Sequence, residues 1–243
     1  MTPAVHLHDA SVDRDGTRVV HNVALTIAAG SWFGLIGANG SGKTSLLRAI
    51  AGRLPFAAGG SCRVDGVERT ADRTARAERF GFLPPAESLP DSLRTRDLIA
   101  LVGGRARDPW PALEPLRAAL GLDALRDRWI GDCSAGMRQR IAIAAAFAGG
   151  HDAVILDEPF NWLDPVAAFD LRAALRTMVG RGLTLVTALH DLGLLAASCD
   201  TGVVLADGRI ALTFDAETLS RATQAPQAFE REMIEILRTG ATR

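Results

Sequence analysis

The sequence predicts an α/β fold: a mixed sheet at its centre, an antiparallel β subdomain at the N-terminus and an α-helical lobe inserted into the core. Three observations carry that reading. The first is Gly37-Ala38-Asn39-Gly40-Ser41-Gly42-Lys43-Thr44, set between an apolar run, Trp32 to Ile36, and a helix-like run, Ser45 to Ile50. The second is Ala153-Val154-Ile155-Leu156, too continuously apolar for a strand with one wet face and suited to the middle of a parallel sheet. The third is a change to helical spacing between Ser92 and Gly149. The expected organisation is one domain over 1–243, with 1–84 and 150–243 as α/β core and 85–149 as the helical lobe.

The eight residues from Gly37 fit G-x-x-x-x-G-K-[ST], the loop that cradles phosphate in P-loop NTPases. Glycines let the backbone curl until successive N–H groups point inward at phosphate oxygens. The helix beginning near Lys43 adds the positive end of its dipole to the same anion. Lys43 reaches the terminal phosphates as a point charge, and the Thr44 hydroxyl is placed to ligate Mg²⁺. A Gly/Ser linker with a chance Gly-Lys-Thr would lack the flanking strand and helix.

Composition sets the bounds. At 243 residues, 48% hydrophobic and 23% charged, the chain can bury a sizeable core. A net charge of −1 gives no broad field for gathering nucleic acid or anionic lipid. The most apolar stretch, Ile141 to Gly150, is half the length of a spanning helix. The first residues carry histidines and an aspartate where a signal peptide needs a basic then apolar run. Cys62, Cys133 and Cys199 are widely spaced without C-x-x-C, which suits a reducing compartment.

In chain order, Val5 to Val12 and a strand with Val19, His21, Val23, Leu25 and Ile27 inward are expected to pair across Asp15-Gly16. His6, His8 and His21 lack metal-ligand spacing. Pro55 to Ser61 is a turn-rich break, and Arg63 to Val67 a short strand and turn. Phe80 to Leu83 is strand-like and is stopped by Pro84-Pro85. Leu93, Leu98, Leu101 and Val102 form one amphipathic stretch, and Leu113, Leu116, Leu120 and Leu122 another, with a loop from Arg105 to Pro111. Arg94, Arg96, Arg105 and Arg107 read as a solvated face. A helix from Pro165 to Val179 and a buried strand from Leu183 to Ala188 follow the Ala153 strand. Val203 to Leu205 and Ile210 to Leu212 flank Asp207-Gly208, a hairpin signal. Phe229, Met233, Ile236 and Leu237 line one face of a last helix, read first as packing on its own domain and second as a dimer contact.

Asp157-Glu158 closes the Ala153 strand, at the sheet edge where the phosphate loop also lies. There Asp157 can hold Mg²⁺ and Glu158 can take a proton from an attacking water. Three more elements surround the pair: Cys133-Ser134-Ala135-Gly136-Met137-Arg138-Gln139-Arg140 at a helix start, Asn161-Trp162-Leu163-Asp164 after the strand, and His190 at the end of the next strand. In order and spacing this set resembles the ATP-binding cassette (ABC) family, over nearly the whole chain. The resemblance implies ATP and Mg²⁺ as ligands, with the nucleotide on Gly37, Ala38, Asn39, Gly40, Ser41, Gly42, Lys43, Thr44 and Ser45. It implies metal contacts from Thr44 and Asp157 and catalysis by Glu158 and His190. It also implies a head-to-tail dimer, in which Ser134, Ala135, Gly136 and Met137 of one copy meet the γ-phosphate of the other and Asp164 communicates across the seam. Such a helix start is by itself also an ordinary N-cap.

The sequence departs from the family pattern at several places. Cys133, Ala135 and Met137 replace the usual signature residues; Ala135 adds only a methyl, so a working site is expected. Arg14 falls where an adenine-stacking aromatic is usual, and two readings of it stand: stacking through the guanidinium, or a solvated loop arginine beside Asp13 and Asp15. Pro85 replaces a glutamine that usually contacts metal and membrane partner, and it offers neither a side-chain oxygen nor an N–H. Asn161-Trp162 replaces a small pair, and a tryptophan there is expected at the dimer seam.

The family resemblance implies the ATPase subunit of a membrane transporter, working with a second nucleotide domain and a separate transmembrane permease. Its expected place is cytoplasmic, peripheral on the inner (plasma) membrane, with no nucleic acid bound. Ser134 to Arg140 and the Leu83-Pro84-Pro85 to Pro90 region look like exporter ATPases. The alternative is a soluble ABC ATPase acting on nucleic acid or ribosomes, but the 114 residues between Lys43 and Asp157 (157 − 43) hold no heptad run or basic arm. A third reading, weakened hydrolysis, follows from Pro85 and Ala135 and is opposed by the presence of Glu158 and His190.

Overall fold

The computed structural model of the chain describes residues 4–104 and 108–239. Strand β1 (Val5–Arg14) and β2 (Thr17–Ile27) form a hairpin whose turn residues Asp15 and Gly16 take φ of 52° and 78°, the left-handed pair that a two-residue turn needs. β3 (Trp32–Ile36) runs buried into the glycine loop, and α1 (Lys43–Ile50) leaves it. β4 (Ser61–Val64) and β5 (Val67–Glu68) then join the hairpin in an antiparallel sheet of order β2-β1-β4-β5. After α2 (Arg73–Arg79) and β6 (Phe80–Phe82) the chain becomes helical: α3 (Thr95–Gly103), α4 (Leu116–Ala119), α5 (Leu122–Leu125) and α6 (Ala135–Ala148). β7 (Ala153–Asp157), α7 (Pro165–Gly180), β8 (Thr184–Leu189), α8 (Leu192–Ser198) and β9 (Thr201–Ala206) return to the core, and β10 (Arg209–Phe214), α9 (Ala216–Gln224) and α10 (Pro226–Thr239) close it.

The second sheet has the order β10-β9-β3-β8-β7-β6, parallel from β9 to β6 with β10 antiparallel at the edge. It is therefore mixed, as expected. Successive side chains point to opposite faces. Phe33, Leu35, Ile155 and Val186 accordingly join the antiparallel sheet and α1 in one apolar cluster. Trp32, Ile36, Leu156 and Leu185 join the helices of the other face. This burial on both sides is why β7 is a continuous apolar run from Ala153 to Leu156, whereas β8 also buries Thr184 and Thr187, whose hydroxyls accept from Gly30 N–H and Trp32 Nε1. Among the described residues no helix is long and apolar enough to cross a membrane.

Several elements differ from the sequence expectation. In β2, Val23, Leu25 and Ile27 do point inward, but the next buried residue is Val20 rather than Val19 or His21. The cause is Asn22, which takes φ 48° while its N–H donates to the Ser11 hydroxyl at 2.9 Å; this irregularity flips the alternation. In α3 the buried face is Thr95, Leu98 and Ile99, whereas Leu101 and Val102 are exposed. Leu113, Leu116, Leu120 and Leu122 are all buried but lie on three short helical pieces, not on one helix. Arg105 and Arg107, with the part of the expected loop at 105–107, lie outside the described residues, as do the side chains of Ile236 and Leu237. Helices α2, α8 and α9 are additions. α2 has no apolar stripe and is held by Arg76, fully buried, whose guanidinium donates to the carbonyls of Ala49, Arg69, Thr70 and Leu54.

Candidate active site

The glycine loop is built to lack something. Gly42, at φ 100°, turns the chain into α1, and no side chain caps that helix. Its first N–H groups are left for a ligand. The Ser41 hydroxyl is buried without a hydrogen-bond partner. Lys43 is buried and folds back on its own loop, its Nζ donating to the carbonyls of Gly37 at 2.7 Å and Ala38 at 3.1 Å. Burial holds its ammonium below the ordinary value, and the nearby Glu158 and Asp157 carboxylates offset part of that effect. Gly37 admits no other residue, since a Cβ there would lie 2.3 Å from the Leu205 carbonyl oxygen. Around residues 39–45 opens a cavity of about 450 Å³ whose walls also include Arg14, Val19 and Glu158.

The strand end supplies the carboxylates. Asp157 is the last residue of β7 and Glu158 follows it. Asp157 shares a hydrogen bond with the Thr44 hydroxyl, yet its Oδ1 is buried with no partner at all. Burial pushes its carboxyl above the usual carboxylate range, and the Thr44 bond opposes that shift. A buried, unpartnered carboxylate oxygen beside a hydroxyl is a donor set that fits a hard divalent cation such as Mg²⁺. Glu158 sits at φ 55°, uncommon for a residue with a side chain. Its carboxylate is held at both ends: His190 Nε2 lies 2.8 Å from Oε1, and Asn161 Nδ2 donates to Oε2 at 2.8 Å. The backbone is held too, since Glu158 N–H donates to the Ala188 carbonyl and Gln139 Nε2 donates to the carbonyls of Pro159 and Glu158.

Most of the expected residues are therefore neighbours: Arg14, Asn39 to Ser45 and Glu158 line the phosphate-loop cavity, Asp157 lines an adjoining one with Glu158, and Gly37, Ala38 and His190 border a third that shares Asn39 to Ser41. Ser134 to Met137 line none of the three. They start α6 on the exposed side, where the Ser134 hydroxyl accepts from Met137 N–H at 3.3 Å as an N-cap. Gly136 packs so closely on the next loop that a Cβ would lie 2.8 Å from the Trp162 carbonyl oxygen. Asp164 caps α7 by accepting from Val166 and Ala167 N–H, and its other oxygen accepts from Arg140 at 2.8 Å. Pro85 opens a short turn, Ala86–Ser88, beside a 310 Å³ cavity lined by Glu87, Asp157, Glu158 and Trp162. Asn161 and Gln139 were not singled out from sequence for any hold on Glu158. An amide three residues after a carboxylate at a strand end was the available signal for Asn161.

A family model described as "ABC transporter" matches residues 20–161. The chain belongs to the ABC transporter family. This ABC chain is 34% identical over 210 residues to an aliphatic sulfonates import ATP-binding protein, SsuB, from Cupriavidus necator, covering 86% of the chain and 68% of that protein. It is 33% identical over 203 residues to a macrolide export ATP-binding/permease protein, MacB, from Neisseria gonorrhoeae, covering 79% of the chain but 31% of that longer protein. In fold it resembles a solved dimeric structure of an ATP-binding cassette, MJ0796, in a post-hydrolysis state bound to ADP and Pi. That match has a TM-score of 0.77 at 20% identity and covers 87% of this chain and 98% of the other. The chain is thus an ABC ATPase, an ATP-binding enzyme whose hydrolysis is coupled to transport.

Proposed function

We propose that this ABC ATPase is the nucleotide-hydrolysing subunit of a membrane exporter, one nucleotide domain with 1–84 and 150–243 as core and 85–149 as helical lobe. It works as a head-to-tail dimer, peripheral on the cytoplasmic face of the inner (plasma) membrane, through a separate transmembrane permease. The observation that carries the reading is Glu158, fixed between His190 and Asn161 on the wall of the phosphate-loop cavity. In that place Glu158 accepts a proton from a water attacking the γ-phosphate, and His190 orients both the carboxylate and the phosphate. Lys43 neutralises the terminal phosphates. Thr44 and Asp157 would hold Mg²⁺, which would supply charge neutralisation at the phosphates.

Ser134, Ala135, Gly136 and Met137 start an exposed helix and serve the nucleotide of the second copy; the dimeric cassette with the same fold supports that arrangement. Export rests on the exporter-like signature string and on the Pro84-Pro85 segment, and MacB is a relative of that kind. Import has its own support in SsuB. Transport relatives of both kinds leave the nucleic-acid alternative without backing.

Glu158→Gln tests the core of the reading. Hydrolysis should fall by about 10²–10⁴-fold while ATP binding persists, and light scattering should show a trapped dimer. A variant that hydrolyses ATP at the parent rate removes Glu158 from the role of base. For the partner, capture from detergent-solubilised membranes should return an integral membrane protein. ATP-driven flux in sealed vesicles of known orientation then gives the direction.

A further inference from the structure

The loop that follows β7 folds back onto the residue at its start. Asn161 N–H donates to the Glu158 carbonyl at 3.3 Å, closing a turn over Glu158, Pro159, Phe160 and Asn161. That turn brings the Asn161 side chain to the Glu158 carboxylate, where Nδ2 donates to Oε2 at 2.8 Å. A carboxylate only accepts, so the face that Asn161 turns to it is the NH₂ group. Asn161 itself is exposed, on the wall of the 310 Å³ cavity that Asp157 and Glu158 also line. Among the described residues its side chain makes this one hydrogen bond, so an exposed amide is ordered on the base alone.

The two donors on Glu158 are not equivalent. His190 Nε2, 2.8 Å from Oε1, has a single hydrogen to give, and only in the tautomer or charge state that puts it there. If His190 also orients the γ-phosphate, that phosphate claims the same hydrogen once ATP is bound. Asn161 is under no such demand. Its amide is neutral and stays a donor at every working pH, and it is not on the wall of the phosphate-loop cavity, where a phosphate of its own copy would compete for it. Gln139, the other amide lining the Asp157 cavity, is committed to the backbone carbonyls of Glu158 and Pro159 and cannot replace it.

We infer that Asn161 is the positioning residue of the hydrolytic step: it keeps Glu158 aimed at the attacking water after His190 has given its hydrogen to the phosphate. The inference rests on the reading of Glu158 as the base. A donor on each oxygen fixes the plane of the carboxylate, and with about four lone-pair sites in all, places remain for the water. With His190 drawn to the phosphate and Asn161 removed, only the backbone of Glu158 is still anchored, and the carboxylate is free to rotate about its last bond. A misplacement of about 1 Å costs on the order of a hundredfold in rate.

ATPase assays on Asn161→Ala and Asn161→Asp test it. In Asn161→Ala, kcat should fall by about ten- to a hundredfold, with KM for ATP and the thermal midpoint close to the parent's. Asn161→Asp keeps the shape and turns the donor into an acceptor, so its kcat should fall at least as far. In a Glu158→Gln background, Asn161→Ala should lower the residual single-turnover hydrolysis no further, because the group it positions is already gone. The same double variant should trap a dimer with the affinity of Glu158→Gln alone. A parent-like kcat in either single variant overturns the inference. So does a double variant whose dimer is weakened, since Asn161 then acts at the seam, or one whose residual hydrolysis drops by the factor seen in the parent. Glu158→Gln at the parent rate overturns the reading of the base itself, which separates the two failures.

Discussion

Two helices of this protein start at a glycine-bearing motif, and they start in opposite ways. α1 is entered through Gly42 without a side-chain cap, inside a cavity, with the Ser41 hydroxyl unpartnered and Lys43 buried beside it. α6 is capped by its own Ser134 and begins on exposed surface. Backbone dipoles make both starts attractive to an anion. The difference lies in what has been left unsatisfied. The α1 start leaves its donors uncapped, as the proposed phosphate role requires, while the α6 start is satisfied by its own cap, and its proposed part in a nucleotide site requires the second copy.

Lys43→Ala should give the largest effect on ATP affinity. It removes a charge-assisted contact worth about 1.5–3 kcal/mol, or roughly 10- to 150-fold. It also removes the ammonium that the Gly37 and Ala38 carbonyls hold in the resting loop. Titration with a fluorescent ATP analogue measures it, and unchanged affinity would contradict the assigned role.

Ser134→Ala should behave in the contrary way. Losing the N-cap costs about 1 kcal/mol of folding stability, read as a lower denaturation midpoint. ATP affinity of the single copy should not change, because Ser134 lies away from its own loop. A loss of monomer ATP affinity comparable with that of Lys43→Ala would erase the distinction between the two helix starts.

Asp157→Asn sharpens the same contrast from the metal side. The parent keeps a buried carboxylate oxygen without a partner, and an unsatisfied buried polar group costs about 1–3 kcal/mol. Neutralising it should raise the thermal midpoint of the nucleotide-free protein. The same change should abolish the further rise that Mg²⁺ with ATP gives the parent. Thermal scans with and without Mg²⁺ decide it; a variant stabilised by Mg²⁺–ATP as much as the parent would remove Asp157 from the metal site.

How much of this was legible in the sequence follows from how local each determinant is. β7 could be read because burial on both faces leaves a continuous apolar run, and the phosphate loop because its residue types are fixed by backbone geometry. α2 could not, because Arg73 to Arg79 carry no apolar stripe and the helix is held by one buried guanidinium on distant carbonyls. The inward residues of β2 and α3 were misplaced where a single left-handed residue, Asn22, or a tertiary choice of helix face reset the pattern. In the site, residue identity announced Asp157 and Glu158. The amides that hold Glu158, on Asn161 and Gln139, are visible only once α6 and the loop after β7 are brought together.

The smallest expected effect belongs to Arg14, at the rim of the first helix start. The structure puts it on the wall of the cavity formed by the phosphate loop, as a stacking role requires. Its competing partner is Asp15, whose Oδ2 lies 3.6 Å from Nε, with both side chains more than half exposed. Such an exposed pair contributes about 0–1 kcal/mol and is screened by salt, so it does little to hold the guanidinium away from a base. A guanidinium over a purine face at an exposed site is worth about 0.5–1 kcal/mol. Arg14→Ala should therefore weaken ATP by about two- to fivefold, and Arg14→Tyr should restore it, since an aromatic ring supplies the same stacking area without the charge. Inorganic triphosphate, which has no base, should bind parent and Arg14→Tyr in a ratio set by charge alone, and Arg14→Ala should match Arg14→Tyr. Equal ATP affinity across all three proteins would return Arg14 to a solvated loop and leave the base to be held by the cavity wall around Val19.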